Sequence, residues 1–428
     1  MSPGLERVRQ AAKQRKKEKF TALLHHVTVD LLREAYYALK RKAAAGVDGV
    51  RWSDYEADLE DNLQDLHARV QGGAYRALPV RRRYIPKPGG KQRPLGIAAL
   101  EDKIVQRAVV AVLNGIYEED FLGFSYGFRP KRNQHQGLDA LAVGICKTSV
   151  NWILDADIRS FFDSVSQDWL VRFLEHRIGD ERIIRLVRKW LKAGVLEDGE
   201  WSMSEEGTPQ GAVVSPLLAN VYLHYVFDLW AHTWRREKAS GDMQRAFLQD
   251  LQQRLKTFGL NLHTDKTRLI QFGRHAIRDR KQSGLGKPDT FDFLGFTHFC
   301  TQSRKNGAFV IGRKTIRKRM RATLGLIKIE LRRRMHDRVI DTGRWITKVL
   351  QGHVNYFSVS GNSPSIWLFY NEVRTLWIKS LRRRSQKGYI NWEKFLCLTN
   401  RYFPRIRLVH PHPCHRFDAR TRGRSPVR

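Results

Sequence analysis

The stretch "VNWILDADIRSFFDSV", residues 150–165, constrains the fold most, because a strand pattern ends in acidic residues just before a helix pattern begins. Two sets of side chains alternate along it with the period of a β-strand: Trp152, Leu154, Ala156 and Ile158 on one face, and Ile153, Asp155 and Asp157 on the other. Ser166 can then cap a helix over "QDWLVRFLEHRIG". The pattern predicts a strand that presents a carboxylate at its end and is followed by a helix.

A second strand pattern surrounds "PKPGG" at residues 86–90. Two short strand-like runs flank this segment, and Gly89 and Gly90 supply the positive φ that a tight turn needs. A β-hairpin is therefore predicted, followed by a helix over "EDKIVQRAVVAVLNGIYEEDF", whose apolar residues recur at helical spacing.

The charge of the chain points to a polyanionic partner. Lys and Arg total 77 against 43 Asp and Glu, a formal net charge of +34. This excess is larger than solubility needs, and a cationic surface gains affinity for nucleic acid by releasing counterions from phosphates. The alternative is a generally basic, solvated surface. Because 42% of the residues are apolar, a folded chain is expected.

The basic residues are concentrated in an amphipathic pattern at 313–338. One face is apolar, and the other is almost entirely Arg and Lys, which predicts a helix packed on one side and presented to phosphate on the other. A buried helix with merely solvated charges is the alternative. The candidate RNA-binding residues are Arg317, Arg321, Arg332 and Arg333.

Other classes of site and location find no support in the sequence. The four cysteines are scattered, so neither a disulfide framework nor a zinc ribbon is expected, and the prolines of "HPHPCHRF" would splay its potential ligands apart. No run suits a membrane span, and the N-terminus, which looks like a basic tail, lacks the apolar core of a secretory signal. A cytoplasmic protein is expected.

Six blocks occur in the order seen in reverse transcriptases encoded by bacterial group II introns, which the chain therefore resembles. They are "YIPKPGGKQRPLGI", "YGFRPKRNQHQGLDAL", "LDADIRSFFDSV", "GTPQGAVVSPLLAN", "LNLHTDKTRL" and "FDFLGF". In addition, "RWITKVLQGHVNYFSVSGN" resembles the maturase, or X, domain that serves as the thumb in that family. Retron, diversity-generating and CRISPR-associated reverse transcriptases share the palm blocks, but the maturase-like segment favours the intron type.

The resemblance implies an α+β right-hand polymerase, with fingers and an antiparallel palm sheet with helices, followed by an α-helical thumb. The expected segments are a basic tail at 1–20, an N-terminal extension and fingers at 21–150, the palm at 151–306, the maturase (X)/thumb domain at 313–409 and a C-terminal tail at 410–428. No His-Asn-His pattern follows the maturase-like segment, so second-strand DNA cleavage is not expected from this polypeptide.

Family members of this kind catalyse two-metal phosphoryl transfer, in which carboxylates hold two Mg²⁺ ions. By resemblance, Asp157 matches the first metal-binding carboxylate, and Ile158 would lend a backbone carbonyl. Lys266 matches a basic residue that helps to protonate pyrophosphate, with a plain surface lysine as the alternative.

The resemblance also implies a nucleotide pocket. Lys87 and Arg93 match fingers residues that grip the triphosphate, and Arg81 is a further candidate. Phe162 matches the aromatic residue that excludes a ribose 2′-hydroxyl, with simple core packing as the alternative. Gln210 and Gly211 match the loop that lines the pocket.

One unit of the family pattern is missing between Trp234 and Gln244. There the family carries a hairpin with Tyr-Ala-Asp-Asp, which supplies the remaining metal-binding carboxylate. Here "ASGDM" runs directly into "QRAFLQDLQQRL", and no Asp-Asp pair occurs in the sequence. A two-stranded hairpin needs about a dozen residues. An internal deletion at 243/244 is therefore predicted, which leaves the palm hairpin lacking and the Mg²⁺ site incomplete.

Three functions remain open on the sequence. The chain could be an RNA-directed DNA polymerase that copies its intron, a maturase that stabilises structured intron RNA for splicing, or a non-functional remnant of a mobile element. Structured intron RNA is the expected partner, and target DNA and deoxynucleotides are further candidates by resemblance. The missing hairpin argues against DNA synthesis.

Overall fold

The computed structural model describes residues 2–86, 92–148, 150–203, 206–208, 211–237, 243–303, 306–384, 390–414 and 416. The helices, in chain order, are α1 (Pro3–Gln14), α2 (Val29–Tyr37), α3 (Trp52–Glu56), α4 (Leu59–Gln71), α5 (Leu100–Asp120), α6 (Gln134–Lys147), α7 (Phe161–Ser164), α8 (Gln167–Glu175), α9 (Glu181–Lys192), α10 (Ser215–Leu223), α11 (Leu229–Glu237), α12 (Met243–Thr257), α13 (Ala276–Gln282), α14 (Arg317–Arg333), α15 (Val339–Phe357), α16 (Ser363–Arg382) and α17 (Trp392–Tyr402). The strands are β1 (Val80–Pro86), β2 (Gln92–Ile97), β3 (Trp152–Asp155), β4 (Val195–Glu197), β5 (Glu200–Ser202), β6 (Arg268–Gln271), β7 (Phe291–Phe293), β8 (Phe296–Gln302) and β9 (Phe309–Thr315).

The chain divides into two compact units, each built from two separate segments. The first contains residues 1–132 and 156–267, and the second contains residues 133–155 and 268–428. Helices and mostly antiparallel strands occur together, which confirms the predicted α+β class. The boundaries expected for fingers, palm and thumb do not coincide with the boundaries of these two units, and they stay predictions.

In the first unit, a sheet in the order β2-β1-β4-β5 carries the predicted hairpin. β1 and β2 pair antiparallel from Arg81 opposite Ile97 to Pro86 opposite Gln92. α5 follows β2 in the chain and packs on α1 and α2, and its predicted apolar stripe is buried as expected at Ile104, Ala108, Val112 and Ile116. Periodicity alone was sufficient here because the stripe faces one core along the whole helix.

The prediction of a basic tail at residues 1–20 is wrong for most of that segment. α1 is a helix that packs on α5, and Leu5, Val8 and Ala12 on its inner face are buried. Arg9 Nε also donates to Glu119 Oε1 at 2.7 Å. The many Lys and Arg residues of this segment masked an apolar face with helical spacing.

The second unit contains two small sheets and the C-terminal helices. β3 pairs antiparallel with β6, and β7, β8 and β9 form an antiparallel sheet in that order. The segment "FDFLGFTHF" forms a hairpin: Leu294 and Gly295 take positive φ values of 45° and 88° and turn the chain between β7 and β8. Glycine tolerates this conformation, which makes the tight turn possible.

Two further predicted boundaries need correction. The strand expected to continue to Ile158 ends at Asp155. The basic helix expected at 313–338 is α14, which begins at Arg317, because residues 313–315 belong to β9 and pair with β8.

Helices α14–α17 share an apolar core in the second unit. It is centred on the fully buried Trp377, Phe369 and Phe395. Among the described helices, none combines the length and apolar character required to cross a lipid bilayer.

Candidate functional site

Asp157 is held next to the "HTDK" segment by backbone pairing within the first unit. Its carbonyl oxygen accepts the His263 N–H at 2.7 Å, and Ile158 forms an antiparallel bridge with Leu262. Arg159 N–H donates to Asn261 O at 2.8 Å. Two motifs that lie about a hundred residues apart in the sequence therefore run side by side at this point.

This pairing brings the two predicted catalytic side chains together. Lys266 Nζ lies 2.8 Å from Asp157 Oδ2, and both side chains are about half exposed. The family resemblance predicts that each residue belongs to the site, but nothing in the sequence indicates that the two side chains pair. The carbonyl of Ile158, expected to assist in metal binding, lies on the strand-like segment that follows Asp157.

The described residues do not fit a two-metal site. Such a site needs several oxygen ligands around each ion, and no group of three or more His, Cys, Asp or Glu suited to a metal occurs in the described part of the chain. One oxygen of Asp157 already faces the ammonium of Lys266. In the second unit, Asp155 faces the guanidinium of Arg268, at 3.4 Å.

The predicted nucleotide loop packs against the turn that carries Phe162. Thr208 N–H donates to Phe162 O at 2.7 Å, and Gly207 N–H donates to Val165 O at 2.8 Å. Gly207 has a φ of 85°, and a Cβ there would lie 2.7 Å from Phe162 O, so only glycine suits this approach. Phe162 itself is half-buried, and its ring meets that of Phe161 edge-on at 5.4 Å. The choice between ribose exclusion and core packing stays a prediction.

Gly211, which follows this loop, lies against the β1–β2 hairpin. A Cβ on Gly211, whose φ is 111°, would lie 2.3 Å from Gly96 O in β2, so the loop backbone runs directly against that strand. Arg93 is exposed on β2. Arg81 donates to Ala45 O at 2.5 Å, a contact that holds its guanidinium on the protein. Lys87 and Gln210 lie outside the described residues.

The helices before and after the predicted deletion at 243/244, α11 and α12, pack directly against each other. Trp234 on α11 donates its indole N–H to Asp250 Oδ2 on α12 at 2.8 Å, and its ring meets that of Phe247 at 4.8 Å. Trp230 also contacts Phe247, with ring centroids 5.3 Å apart. α11 ends at Glu237 and α12 begins at Met243, so five residues separate two packed helices.

The face of α14 is less uniformly basic than expected. Arg317, Arg321 and Arg332 are exposed, and their side chains form no hydrogen bond or ion pair with a described residue. Leu326 and Ile329 are exposed between them, at 68% and 63%. The exposed arginines are therefore grouped near the two ends of the helix, with the exposed Lys328 between them.

Arg333 differs from its neighbours on α14. Its guanidinium forms two hydrogen bonds with Glu330, at 2.8 and 2.9 Å. The spacing of three residues on a helix is the signal from which this pair could have been predicted. No comparable signal links Asp157 to Lys266.

Comparison with known proteins identifies the relatives of the chain. Residues 85–298 match the family model described as "Reverse transcriptase (RNA-dependent DNA polymerase)". Protein YkfC of Escherichia coli is 42% identical over 190 residues, which cover 44% of this chain and 50% of that protein. The group II intron-encoded protein LtrA of Lactococcus lactis is 35% identical over 222 residues, covering 51% of this chain and 37% of LtrA. The chain spans half, or less, of the length of these relatives.

Proposed function

Since this chain belongs to the reverse transcriptase family and is similar to group II intron-encoded proteins, we propose that it binds structured intron RNA and assists splicing while being deficient in DNA synthesis. Its activity, substrates and partners are inferred from the residues of this chain, because it covers only part of the relatives it matches.

RNA binding is supported by the charge and by the arginines of α14. A net charge of +34 favours a polyphosphate partner. Arg317, Arg321 and Arg332 hold guanidinium groups in solvent, where they are free of acidic partners among the described residues. Such groups can bind phosphate in bidentate geometry. These three residues would form the maturase-type RNA surface on the thumb.

The observation that carries the deficiency in synthesis is the absence of an Asp-Asp pair from the sequence, which leaves Asp157, already paired with Lys266, without the family's second acidic motif. Members of the reverse transcriptase family generally use Mg²⁺. An ammonium beside the carboxylate offsets its negative charge and occupies one of its oxygens, which weakens its attraction for such an ion. The direct packing of Trp234 on Phe247 and Asp250 supports the proposal that α11 and α12 have come together where the family carries the hairpin.

Polymerase activity is the second candidate function. It is favoured by the fingers hairpin and by the close packing of Gly211 on β2, which keep the frame of a nucleotide pocket. In this view Arg93 and Phe162, with Lys87 and Gln210, would bind a deoxynucleotide, and target DNA would be a partner.

Splicing in cells tests the proposal. The group II intron nearest to the gene should yield ligated exons only when the protein is expressed. Replacing Arg317, Arg321 and Arg332 by Gln should abolish this dependence. The control removes the same charge from three other exposed arginines without acidic partners among the described residues, Arg76, Arg185 and Arg245, and should retain splicing. Ligated exons at equal levels without the protein would contradict the proposal.

A further inference from the structure

The block "YGFRPKRNQHQGLDAL" has no part in the site described above, yet it presents an unusual aromatic residue. Phe128 is 73% exposed and has a φ of 54°. A bulky L-residue rarely adopts this left-handed conformation, and it persists only where the surroundings enforce it. The backbone therefore holds an apolar ring in solvent against its own preference.

The neighbours of Phe128 enforce this conformation from both sides. Arg129 is buried, with its guanidinium bonded to the Glu118 carboxylate at 3.0 Å and to the carbonyl oxygens of Leu122 and Ser125 at 2.8 and 3.1 Å. These bonds anchor the residue after Phe128.

On the other side, Asn220 Nδ2 of α10 donates to Gly127 O at 2.8 Å. The loop that carries the ring is thus fixed on both sides. The position of the ring depends on contacts with both α5 and α10.

The ring borders a surface cavity of about 400 Å³ in the first unit. Its walls include the apolar side chains of Val110, Val213 and Leu217. This volume lies in the range of small-ligand sites and suits one nucleoside.

Two polar side chains on α5, Arg107 and Asn114, also line the cavity. Neither side chain forms a hydrogen bond or ion pair with another residue in the described ranges, and Arg107 is exposed. A guanidinium and an amide are therefore available to a ligand beside the exposed ring.

We propose that this cavity receives one unpaired nucleobase of a single-stranded RNA segment, with the base stacked on Phe128 and the adjoining phosphate bound by Arg107. The proposal rests on the RNA-binding function proposed above. A base in a duplex is already stacked, whereas an unpaired base offers a face to an aromatic ring. An aromatic platform beside a cation is the combination that binds single-stranded nucleic acid. The Asn114 amide supplies donors and an acceptor for the base edge.

The test compares two ligands of equal charge with the full chain: an oligoadenylate of about ten nucleotides and an abasic ribose-phosphate chain of the same length. Phe128→Gly removes the ring and also suits the positive φ, so it should not destabilise the loop. We expect this variant to bind the oligoadenylate about tenfold more weakly and the abasic chain as wild type does. Phe128→Trp should retain affinity for the oligoadenylate.

The arginine is tested in the same assay. Arg107→Gln should weaken the binding of both ligands, because both carry phosphates. Arg76→Gln, which removes an exposed arginine elsewhere in the first unit, is the matched control and should alter neither by as much.

The remaining outcomes separate this inference from the proposed function. If Phe128→Gly binds the oligoadenylate as tightly as wild type, and wild-type binding is tight and salt-dependent, the stacking site is overturned and RNA binding stands. Equal weakening of both ligands by Phe128→Gly also overturns it, because the ring would then act on the fold of the loop. Absence of RNA binding by the wild type removes both proposals.

Discussion

The Lys266 ammonium lies 2.8 Å from the Asp157 carboxylate, so the acidic residue that matches the first metal ligand of the family is already paired with a cation. In an active polymerase of this type, further carboxylates would gather around the same metal ions. Here the pair is half-exposed, and its contribution to the free energy of unfolding should be small, at about 0–1 kcal/mol.

We predict that the purified chain does not extend a DNA primer on an RNA template in the presence of Mg²⁺. Asp157 supplies one carboxylate where two ions must be held in line with the transferred phosphate, and electrostatic stabilisation is usually the largest part of catalysis. The measurement is incorporation of labelled deoxynucleotide. Template-dependent extension that disappears in Asp157→Ala would show that another residue completes the site.

Restoring the hairpin should restore synthesis. A family-type hairpin with Tyr-Ala-Asp-Asp would be inserted between Met243 and Gln244, where α12 begins. Because Trp234 now packs on Phe247 and Asp250, the two helices must separate to admit the strands, so rescue should be partial. Primer extension measures it, and Asp157→Ala in the repaired chain should abolish it. No extension by a folded repaired chain would point to defects elsewhere and favour a decayed copy.

Neighbouring arginines on α14 should differ in their effect on RNA binding. Arg332 has no acidic partner among the described residues, whereas Arg333 is bonded to Glu330. Arg332→Gln should therefore reduce the slope of log affinity against log salt by about 0.7, as expected for one lost phosphate contact. Arg333→Gln serves as the matched control and should have the smaller effect, because Glu330 already competes for that guanidinium. Equal effects in filter-binding titrations over several salt concentrations would contradict the proposal that the α14 arginines without acidic partners bind phosphate.

Asp228 should make stability depend on pH. Burial raises the pKa of its carboxyl to about 7, and the nearby Arg129 only partly opposes this. Between about pH 4 and 7 the folded protein therefore binds a proton that the unfolded chain has lost, so the free energy of unfolding falls as pH rises through this range and stays lower above it.

Asp228→Asn removes this proton-linked loss. The free energy of unfolding of the variant minus that of wild type should be larger at pH 8 than at pH 5. The increase should be on the order of 2 kcal/mol. Chemical denaturation at the two pH values measures the difference. The exposed Asp168 provides a control, because Asp168→Asn should shift stability alike at both. A pH-independent effect of Asp228→Asn would show that folding does not change proton binding by this carboxyl between pH 5 and 8.

Much of the local structure could be predicted because it depends on neighbours along the chain. The stripe on α5, the β1–β2 hairpin and the cap of α8 by Ser166 all follow from short-range spacing. Errors arose where a strong local signal hid a weaker one. The cationic residues of α1 concealed its apolar face.

The sequence by itself determined the family, the excess of positive charge and the absence of an Asp-Asp pair, because ordered motifs and composition do not depend on coordinates. The tertiary structure alone decided that Lys266 faces Asp157, that Trp234 on α11 contacts Asp250 on α12, and that Arg333 of α14 is bonded to Glu330. Ion pairs and packing depend on distances in space. Residues 109 positions apart in the sequence come within hydrogen-bonding reach only after the backbone between them has folded.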